Sequence, residues 1–278
     1  MALANPGGDG PTSVRSPRVS AVRRLQQRSV RAERRQFLVE GPPAVAEALG
    51  VPGLVQQLYA TVAALSVRPQ WAAQAVVVPD EVVAAMAETR NPQGVVAVCR
   101  FVDVPLAEAL RDDPALVPLL WQIRDPGNAG TVLRSADAAG ASAVLFSADS
   151  VDVYNGKCVR STAGSLFHVP VVVDVDPVAA IGELRARGLT VLAADGQGAA
   201  QLYELLPGTS GPGVLSGPVA WVFGNEARGL DPAVAAAVDL TVAIPIQGRA
   251  ESLNLAAAVA VCLFTTAAAQ RGQVVRAR

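Results

Sequence analysis

Six predominantly apolar runs in the second half of the chain constrain its fold more than any other feature. They are residues 116–121, 143–146, 169–173, 189–193, 219–223 and 240–244. A strand that is apolar on both faces is typical of a parallel sheet covered by helices on both sides. Ligands of open parallel sheets bind where the strands end, so the loops after Trp121, Phe223 and Ile244 are candidate sites.

Helical patterns lie in four of the five gaps between the apolar runs, and a last one follows the sixth run. They cover residues 129–139, 154–163, 177–187, 231–236 and 252–270, and the alternation predicts a doubly wound α/β fold. Residues before 102 show shorter strand and helix patterns, which predict a smaller α/β unit. We expect a disordered tail at 1–13, a first domain at 14–102, a linker at 103–114 and a second domain at 115–278.

The composition disfavours several classes of protein. With 278 residues, 51% of them hydrophobic, the chain is long enough to form two cores. No apolar run reaches the roughly 18 to 20 residues of a membrane helix, so we expect no membrane association. The cysteines Cys99, Cys158 and Cys262 have no metal-ligand spacing, and the single histidine, His168, has the setting of a structural residue. We expect no metal ion, reduced cysteines and a cytoplasmic location.

A block of arginines is the strongest charge feature of a chain whose formal net charge is only −1. Residues 15–35 hold one acid, Glu33, and eight arginines: Arg15, Arg18, Arg23, Arg24, Arg28, Arg31, Arg34 and Arg35. Two interpretations stay open. The block is either the solvated face of an amphipathic helix, with Val19, Val22 and Leu25 on its apolar side, or a surface for nucleic acid or another polyanion.

The common nucleotide-binding and hydrolase motifs are absent from the sequence. The turn Asp195-Gly196-Gln197-Gly198 follows a strand but lacks the third glycine of a dinucleotide fingerprint. There is no Gly-Lys-Ser/Thr of a P-loop and no Gly-x-Ser-x-Gly elbow. A nicotinamide-dependent oxidoreductase and a serine hydrolase are therefore both disfavoured.

Three polar loops remain, each directly after an apolar run. They are 123–134 (IRDPGNAGTVLR), 222–230 (VFGNEARGL) and 244–254 (IPIQGRAESLN). Asn128 sits where a helix N-cap belongs, and Ser252 or Glu251 could begin the last helix while Asn254 bonds local backbone. Taken one at a time, the loops are explained either by helix capping or by ligand binding, and both explanations stay open.

Taken together and in this order, the loops resemble the three motifs of the SpoU-type (TrmH-like) 2′-O-ribose RNA methyltransferases of the SPOUT class. The similar stretches are Asn128-Ala129-Gly130 with Arg134-Ser135-Ala136 and Gly140, Phe223-Gly224-Asn225-Glu226 with Gly229-Leu230, and Ile244-Pro245-Ile246 with Glu251-Ser252-Leu253-Asn254. Residues 159–167 (VRSTAGSLF) are also similar, and the resemblance covers about 115–270. A shorter stretch, 37–41 (FLVEG), resembles the L30e-like RNA-binding domain that often accompanies this family.

The resemblance implies a C-terminal SPOUT domain with a parallel sheet and a deep trefoil knot, preceded by a small L30e-like α/β domain. It implies S-adenosylmethionine as the cofactor, a homodimer, and an RNA substrate, with rRNA favoured over tRNA. The residues implied to hold the cofactor are Phe223, Gly224, Ile244, Leu253 and Asn254. Those implied in catalysis are Arg134, Asn128, Glu226, Ser252 and Asn254. Those expected to bind RNA are Arg23, Arg24, Arg28 and Arg160.

The family also suggests what each catalytic residue does. Arg134 would hold a substrate phosphate and stabilise the ribose oxygen as charge develops, because a guanidinium that stays protonated is unsuited to act as a base. Asn128 would orient the ribose or Arg134, and Glu226 would accept hydrogen bonds. Ser252 and Asn254 would fix the third loop and contact the substrate. A tRNA methyltransferase and a catalytically silent RNA-binding module of the same fold remain alternatives.

Overall fold

The computed structural model of the chain describes residues 11–208 and 213–272. The strands are β1 (Gln36–Glu40), β2 (Val55–Ala60), β3 (Ala75–Val77), β4 (Val95–Arg100), β5 (Leu116–Leu120), β6 (Val144–Ser147), β7 (Val171–Val175), β8 (Thr190–Ala194), β9 (Ala200–Gln201), β10 (Val219–Phe223) and β11 (Leu240–Ala243). The α-helices are α1 (Pro17–Arg23), α2 (Arg28–Arg34), α3 (Pro42–Gly50), α4 (Val62–Val67), α5 (Asp80–Met86), α6 (Leu106–Ala109), α7 (Pro126–Ala139), α8 (Gly156–Thr162), α9 (Pro177–Ala186), α10 (Pro232–Ala237) and α11 (Leu255–Gln270). Most of the predicted disordered tail, 1–13, lies outside the described residues.

The described chain divides into two units, and the division does not follow the order of the sequence. The first unit runs to Val102 and also takes in Asp152–Phe167, the segment that contains α8. The second unit consists of Asp103–Val151 and the residues from His168 onward. The sequence places the helix predicted at 154–163 between strands of the second domain, whereas the structure groups it with the first unit.

A four-stranded mixed sheet forms the centre of the first unit, in the order β1-β4-β2-β3. β4 pairs antiparallel with β1 and β2, and β2 pairs in parallel with the edge strand β3. The predicted apolar face of the basic N-terminal segment is buried: Val19, Val22 and Leu25 join one core with residues of the sheet. A short 3₁₀ turn at 24–26 divides the predicted single helix into α1 and α2.

One arginine of the basic block is buried. Arg31 on α2 is 3% exposed, and its Nη2 donates to Asp152 Oδ2 at 2.6 Å. Its Nε donates to the same oxygen at 2.9 Å, and its Nη1 donates to the carbonyl oxygens of Leu25 and Gln26. Arg31 therefore ties α2 to the Asp152–Phe167 segment and is not available to bind a polyanion.

Aromatic rings attach the same segment to β1. The Tyr154 ring stacks on Phe101 with centroids 3.7 Å apart, and its centroid lies 4.8 Å from that of Phe37. The backbone N–H of Val102 donates to the Tyr154 hydroxyl at 2.9 Å. Stacking, burial and one satisfied hydroxyl together explain why this segment belongs to the first unit.

Arg160 on α8 is expected to bind RNA. In the structure, its guanidinium has two carboxylate neighbours. Its Nη1 lies 3.5 Å from Glu40 Oε2 and 3.6 Å from Glu88 Oε2, and its side chain is 37% exposed. Burial raises the pKa of Glu88, the Glu40 carboxylate raises it further, and Arg160 opposes both. The RNA-binding role of Arg160 stays a prediction, but these ion pairs explain the residue without RNA.

A seven-stranded parallel sheet, ordered β7-β6-β5-β10-β8-β11-β9, forms the second unit. Every pairing in it is parallel, so the predicted parallel α/β sheet is confirmed. All six predicted strands are present within two residues of their expected ends, and the short edge strand β9 is additional. β10 lies between β5 and β8, and all its residues are buried. The trefoil knot stays a prediction.

Two helices of this unit start at positions that differ from the prediction, and both differences affect a site residue. α7 begins three residues before the predicted 129, which puts Asn128 in its first turn. α11 begins three residues after the predicted 252, with Asn254 as its N-cap. Trp221 on β10 donates from its Nε1 to Thr266 Oγ1 at 2.9 Å and so holds α11 on the sheet. In the described ranges, no helix is long and apolar enough to cross a membrane.

Replacement of Arg31 by alanine should lower the free energy of unfolding by about 3 to 5 kcal/mol, because it leaves the largely buried Asp152 carboxylate without its partner. The exposed neighbour Arg28 provides the matched control. Arg28→Ala should change the free energy of unfolding by less than about 0.5 kcal/mol. Urea denaturation followed by circular dichroism measures both variants. Equally small losses for the two would contradict a structural role for Arg31.

Candidate functional site

A cavity of about 1050 Å³ opens at the carboxyl ends of four neighbouring strands of the second unit. Its walls include the loops that follow β5, β8, β10 and β11, and these strands lie side by side in the order β5-β10-β8-β11. Open parallel sheets bind ligands at this edge, and small-molecule pockets typically measure roughly 300 to 1,000 Å³. The sequence predicts three of the four loops and not the one after β8.

The loop after β5 turns into α7 with Asp125 as the N-cap. Asp125 Oδ1 accepts from the backbone N–H of Asn128 at 2.8 Å, and Pro126 occupies the first helical position, where a missing N–H does no harm. Of the two explanations left open for Asn128, helix capping therefore does not apply. Both residue types cap helices well, and the aspartate three positions earlier does so here. The side chain of Asn128 is thereby available to groups outside its own helix.

Three polar side chains from three loops form one hydrogen-bonded series, which we call the amide chain: Asn254, Asn128 and Glu226. Asn254 caps α11, and its Oδ1 accepts from the backbone N–H of Ala256 at 2.9 Å. Its Nδ2 donates to Asn128 Oδ1 at 3.2 Å, and Asn128 Nδ2 donates to Glu226 Oε1 at 3.1 Å. Because the cap must accept and the carboxylate can only accept, a single orientation of each amide satisfies the whole series.

The loop after β10 is a tight turn organised by Asn225. Its backbone exchanges two hydrogen bonds with Gly229, and its Oδ1 accepts from two further N–H groups of the turn. Its Nδ2 donates to the carbonyl oxygen of Gln122 at 2.7 Å, which joins the turn to the loop after β5. A Cβ on Gly224 would lie 2.6 Å from the carbonyl carbon of Gly229. A glycine is therefore required at 224 because the turn folds against it, whatever approaches from the cavity.

The loop after β11, residues 244–253, makes no backbone-to-backbone hydrogen bond with any described residue. Ile246 and Leu253 are 38% and 40% exposed in this loop, and both line the cavity. Ser252 also lines the cavity and forms no hydrogen bond to the described part of the chain. The loop thus presents apolar side chains beside unpaired N–H and C=O groups, a combination that suits a flat ligand with polar edges.

The structure brings most of the sequence-predicted site residues together. Those that line the cavity are Asn128, Phe223, Gly224, Glu226, Ile244, Ser252, Leu253 and Asn254. Arg134 does not line it: the residue is exposed on α7 and has no hydrogen-bond or ion-pair partner among the described residues. Arg23, Arg24 and Arg28 are exposed residues of the first unit.

Sequence reasoning missed the wall formed after β8. Asp195 and Gly196 line the cavity there, and the Asp195 N–H donates to the carbonyl oxygen of Val242 at 3.0 Å. A signal for this loop exists, since the turn directly follows the apolar run 189–193 at the same edge of the sheet. Gln201 also lines the cavity but carries no such signal, because β9 has only two residues.

The histidine and the cysteines do not line the cavity. His168 Nδ1 lies 2.9 Å from Asp137 Oδ2, a structural contact. Cys99, Cys158 and Cys262 are buried, and burial raises the pKa of Cys99 and Cys262 to about 12, which disfavours the reactive thiolate. Within the ranges that the structure describes, no group of His, Cys, Asp and Glu side chains is arranged to hold a metal ion.

Comparison with known sequences finds a match for each part of the chain. Residues 115–264 match the SpoU rRNA Methylase family, and residues 16–97 match the MRM3-like substrate binding domain. The 23S rRNA (guanosine(2553)-2′-O)-methyltransferase RlmP of Bacillus subtilis (strain 168) is 34% identical over 253 residues, which are 91% of this chain and 96% of that protein. A 23S rRNA (uridine(2479)-2′-O)-methyltransferase of Streptomyces viridochromogenes is 32% identical over 200 residues, 69% of this chain and 66% of that protein.

Solved structures show the same architecture over nearly the whole chain. An AdoMet-bound rRNA methyltransferase from Sinorhizobium meliloti has a TM-score of 0.80 and 31% identity, and the match covers 95% of this chain and 98% of that one. The SpoU methyltransferase AviRb from Streptomyces viridochromogenes, solved in complex with the cofactor AdoMet, has a TM-score of 0.80 and 26% identity, with 93% and 100% covered.

Two substitutions of Asn254 should separate its two roles, the cap of α11 and the hydrogen bond to Asn128. Asn254→Ala removes the cap of α11 and should lower the free energy of unfolding by about 1 kcal/mol. Asn254→Asp keeps a capping oxygen, with a charge that suits a helix N-terminus, and should lose little stability. The aspartate has no N–H for Asn128, so it breaks the amide chain alone. Urea unfolding compares the variants; equal losses would mean that the bond to Asn128 supplies the stability instead of the cap.

Proposed function

We propose that this chain, which belongs to the SpoU rRNA methylase family, transfers a methyl group from S-adenosylmethionine to a ribose 2′-hydroxyl of ribosomal RNA. The family match covers more than half of the chain, and a relative that spans 91% of it is named a 23S rRNA 2′-O-methyltransferase. The amide chain is the observation that carries the proposal, because it joins the loops of all three sequence motifs around one cavity.

The cavity has the groups that S-adenosylmethionine requires. The faces of its adenine ring are apolar and the ring edge carries hydrogen-bonding nitrogens. Ile246 and Leu253 provide exposed apolar surface, and the backbone of 244–253 provides unpaired donors and acceptors. We infer that Phe223 and Ile244 complete the wall around the bound cofactor. When bound, S-adenosylmethionine supplies an electrophilic methyl group.

The chain's own residues have to position the ribose and stabilise charge on its oxygen. A neutral hydroxyl is a weak nucleophile, so preorganised polar groups at the developing charge lower the barrier most effectively. The amide chain holds Glu226 by one oxygen, and the other oxygen has no partner among the described residues. We infer that this oxygen accepts a hydrogen bond from the substrate ribose. Arg134 stabilises the alkoxide as it forms, and the proton leaves to phosphate or water.

A second copy of the chain is needed to bring Arg134 to a cavity, since the residue does not line the cavity of its own chain. α11 packs beside α7, which carries Arg134, and has no charged residue in its sixteen positions. A helix that is apolar all round is typical of a buried helix, yet Phe264 on α11 is 50% exposed. We infer that two copies pair through the exposed side of α11 that carries Phe264. In this pair, Arg134 of each copy reaches the cavity of the other.

The first unit is proposed to hold the RNA through its exposed arginines. Arg23, Arg24 and Arg28 are exposed, and their side chains have no hydrogen-bond or ion-pair partner among the described residues. Guanidinium groups in this state are suited to phosphate oxygens, which they bind in a bidentate manner. The match of residues 16–97 to a substrate binding domain supports the same assignment. The cytoplasmic location expected from the sequence stays a prediction.

The function is tested by methyl transfer from labelled S-adenosylmethionine to purified 23S rRNA and, separately, to total tRNA. We expect label in 23S rRNA, at a ribose that becomes resistant to alkaline hydrolysis. Asn254→Asp should retain the fold and lose about 10- to 100-fold in rate, because Glu226 is no longer positioned. Label in tRNA alone would change the substrate, and RNA binding without any label transfer would indicate a silent binding module.

The exchange of Arg134 is tested by subunit complementation. Arg134→Ala and Asn254→Asp should each be nearly inactive, but a mixed dimer contains one site with an intact cavity from one copy and Arg134 from the other. Co-expression of the two variants should therefore restore about one quarter of wild-type activity, since about half of the dimers are mixed and one of their two sites is complete. Activity no higher than that of the separate variants would show that Arg134 does not act across the dimer.

The arginine block is tested by the salt dependence of RNA binding. Changing Arg23, Arg24 and Arg28 together to glutamine should weaken binding to every RNA sequence and reduce the log–log salt slope by about two, because each lost phosphate contact contributes roughly 0.7 to 0.9. Arg185→Gln is the control, since Arg185 is paired with Asp239. An unchanged salt slope in a folded triple variant would show that these arginines form a solvated helix face and do not contact RNA phosphates.

A further inference from the structure

The charge on the cavity wall is strongly one-sided. One guanidinium, that of Arg124, lines the cavity. Four carboxylates also line it: Asp125, Asp195, Glu226 and Glu251. An enzyme that handles a polyanion would be expected to line its site with positive charge, so this excess of acids calls for a specific reason. The loops and the family match identify the cavity without any reference to these acidic residues. The acidic side chains therefore bear on which ligand the cavity selects.

Two of these carboxylates have no structural task that explains them. Asp125 caps α7, and Glu226 belongs to the amide chain. Asp195, by contrast, accepts only from the backbone N–H of Gln197, two positions along its own turn. Glu251 makes no hydrogen bond to the described residues, and neither Asp195 nor Glu251 has an ion-pair partner among them. They lie in the loops that follow the paired strands β8 and β11, and both residues line the cavity.

The proposed reaction changes the charge of what the cavity holds. Transfer breaks the bond between sulfur and the methyl carbon and forms a bond between that carbon and the ribose 2′ oxygen, whose proton goes to solvent or phosphate. The electron pair of the broken bond stays on sulfur, and the sulfonium cation becomes a neutral thioether. The amino and carboxylate groups of the ligand do not change, so donor and product differ by one methyl group and one positive charge.

We propose, on the basis of the proposed function, that Asp195 and Glu251 make this cavity select the cationic methyl donor over the neutral thioether product. The negative charge of the two carboxylates stabilises the sulfonium before transfer. After transfer the sulfur is neutral and this attraction is lost, which favours exchange of the product for fresh donor. The arrangement does not obstruct the RNA, because only a ribose hydroxyl has to reach the cavity. The phosphates are left to arginines that do not line it.

The expected effect follows from Coulomb's law for partly solvated charges. Each carboxylate removed should weaken binding of the cationic donor about fivefold and leave the product within about twofold. Because the groups are exposed, salt should screen the effect, so the donor's advantage over the product should shrink as ionic strength rises.

The proposal is tested by isothermal titration of the full chain with S-adenosylmethionine, S-adenosylhomocysteine and sinefungin, which carries a charged amine near the sulfonium position. The variants are Asp195→Asn and Glu251→Gln, which remove charge and keep shape. Glu183→Gln is the matched control, because Glu183 on α9 pairs with Arg187 at the end of that helix and does not line the cavity. A potassium chloride series on the unaltered chain repeats the test without any substitution, so the proposal stays testable if a variant fails to fold.

We expect both variants to lose affinity for the donor and for sinefungin but not for S-adenosylhomocysteine, while the control changes none of the three. Equal losses for all three ligands would overturn the proposal, since the carboxylates would then bind a part common to donor and product. Unchanged affinities, or a donor-to-product ratio that is insensitive to salt, would also overturn it. Absence of donor binding by the unaltered chain would instead defeat the proposed function itself.

Discussion

The position of β10 between β5 and β8 determines where every group of the cavity lies. It sets the end of β10 beside the ends of β5 and β8, and β11 then pairs on the far side of β8. Glu226 and Asn254, which lie 98 and 126 positions after Asn128 in the sequence, can thereby both bond to it. The amide chain is a consequence of this strand order, and the cavity is the space between the loops that the order brings together.

Helix capping and site assembly turn out to be one hydrogen-bonded system. The sequence leaves capping and ligand binding open as competing explanations of the polar residues before α11. Asn254 both caps α11 and joins the cavity loops, because an amide has an accepting end for the helix and a donating end for Asn128. Its contact with a ligand stays a prediction. At α7 the two tasks are divided, since Asp125 caps and Asn128 reaches across. A polar residue at a helix start in this fold can therefore cap the helix and hold the site together at the same time.

The strands and the identity of the site loops are predictable, because burial on both faces leaves an unbroken apolar signal and the motifs follow it directly. Helix starts are less predictable, and the errors at Asn128 and Asn254 have the same cause. Aspartate, asparagine and serine cap almost equally well, so local preference does not decide among neighbours. The loop after β8 has no motif residues, so its only signal in the sequence is its position at a strand end. The resemblance assigns Gly224 to the cofactor, because the contact of this glycine with the Gly229 backbone of the same turn leaves no trace in the sequence.

The partners of charged residues are the least predictable feature, and Arg31 shows why. In sequence it is indistinguishable from the other arginines of its block, and its partner Asp152 lies 121 positions away, between two strands of the second unit. That segment returns to the first unit, so the chain passes between the units after Val102, before Asp152 and after Phe167. A fragment ending at Val102 would keep the whole sheet of the first unit and still lose the carboxylate that neutralises a buried guanidinium. The first unit is thus complete in its strands but not in its charges, and its stability depends on a segment that the sequence places between strands of the second unit.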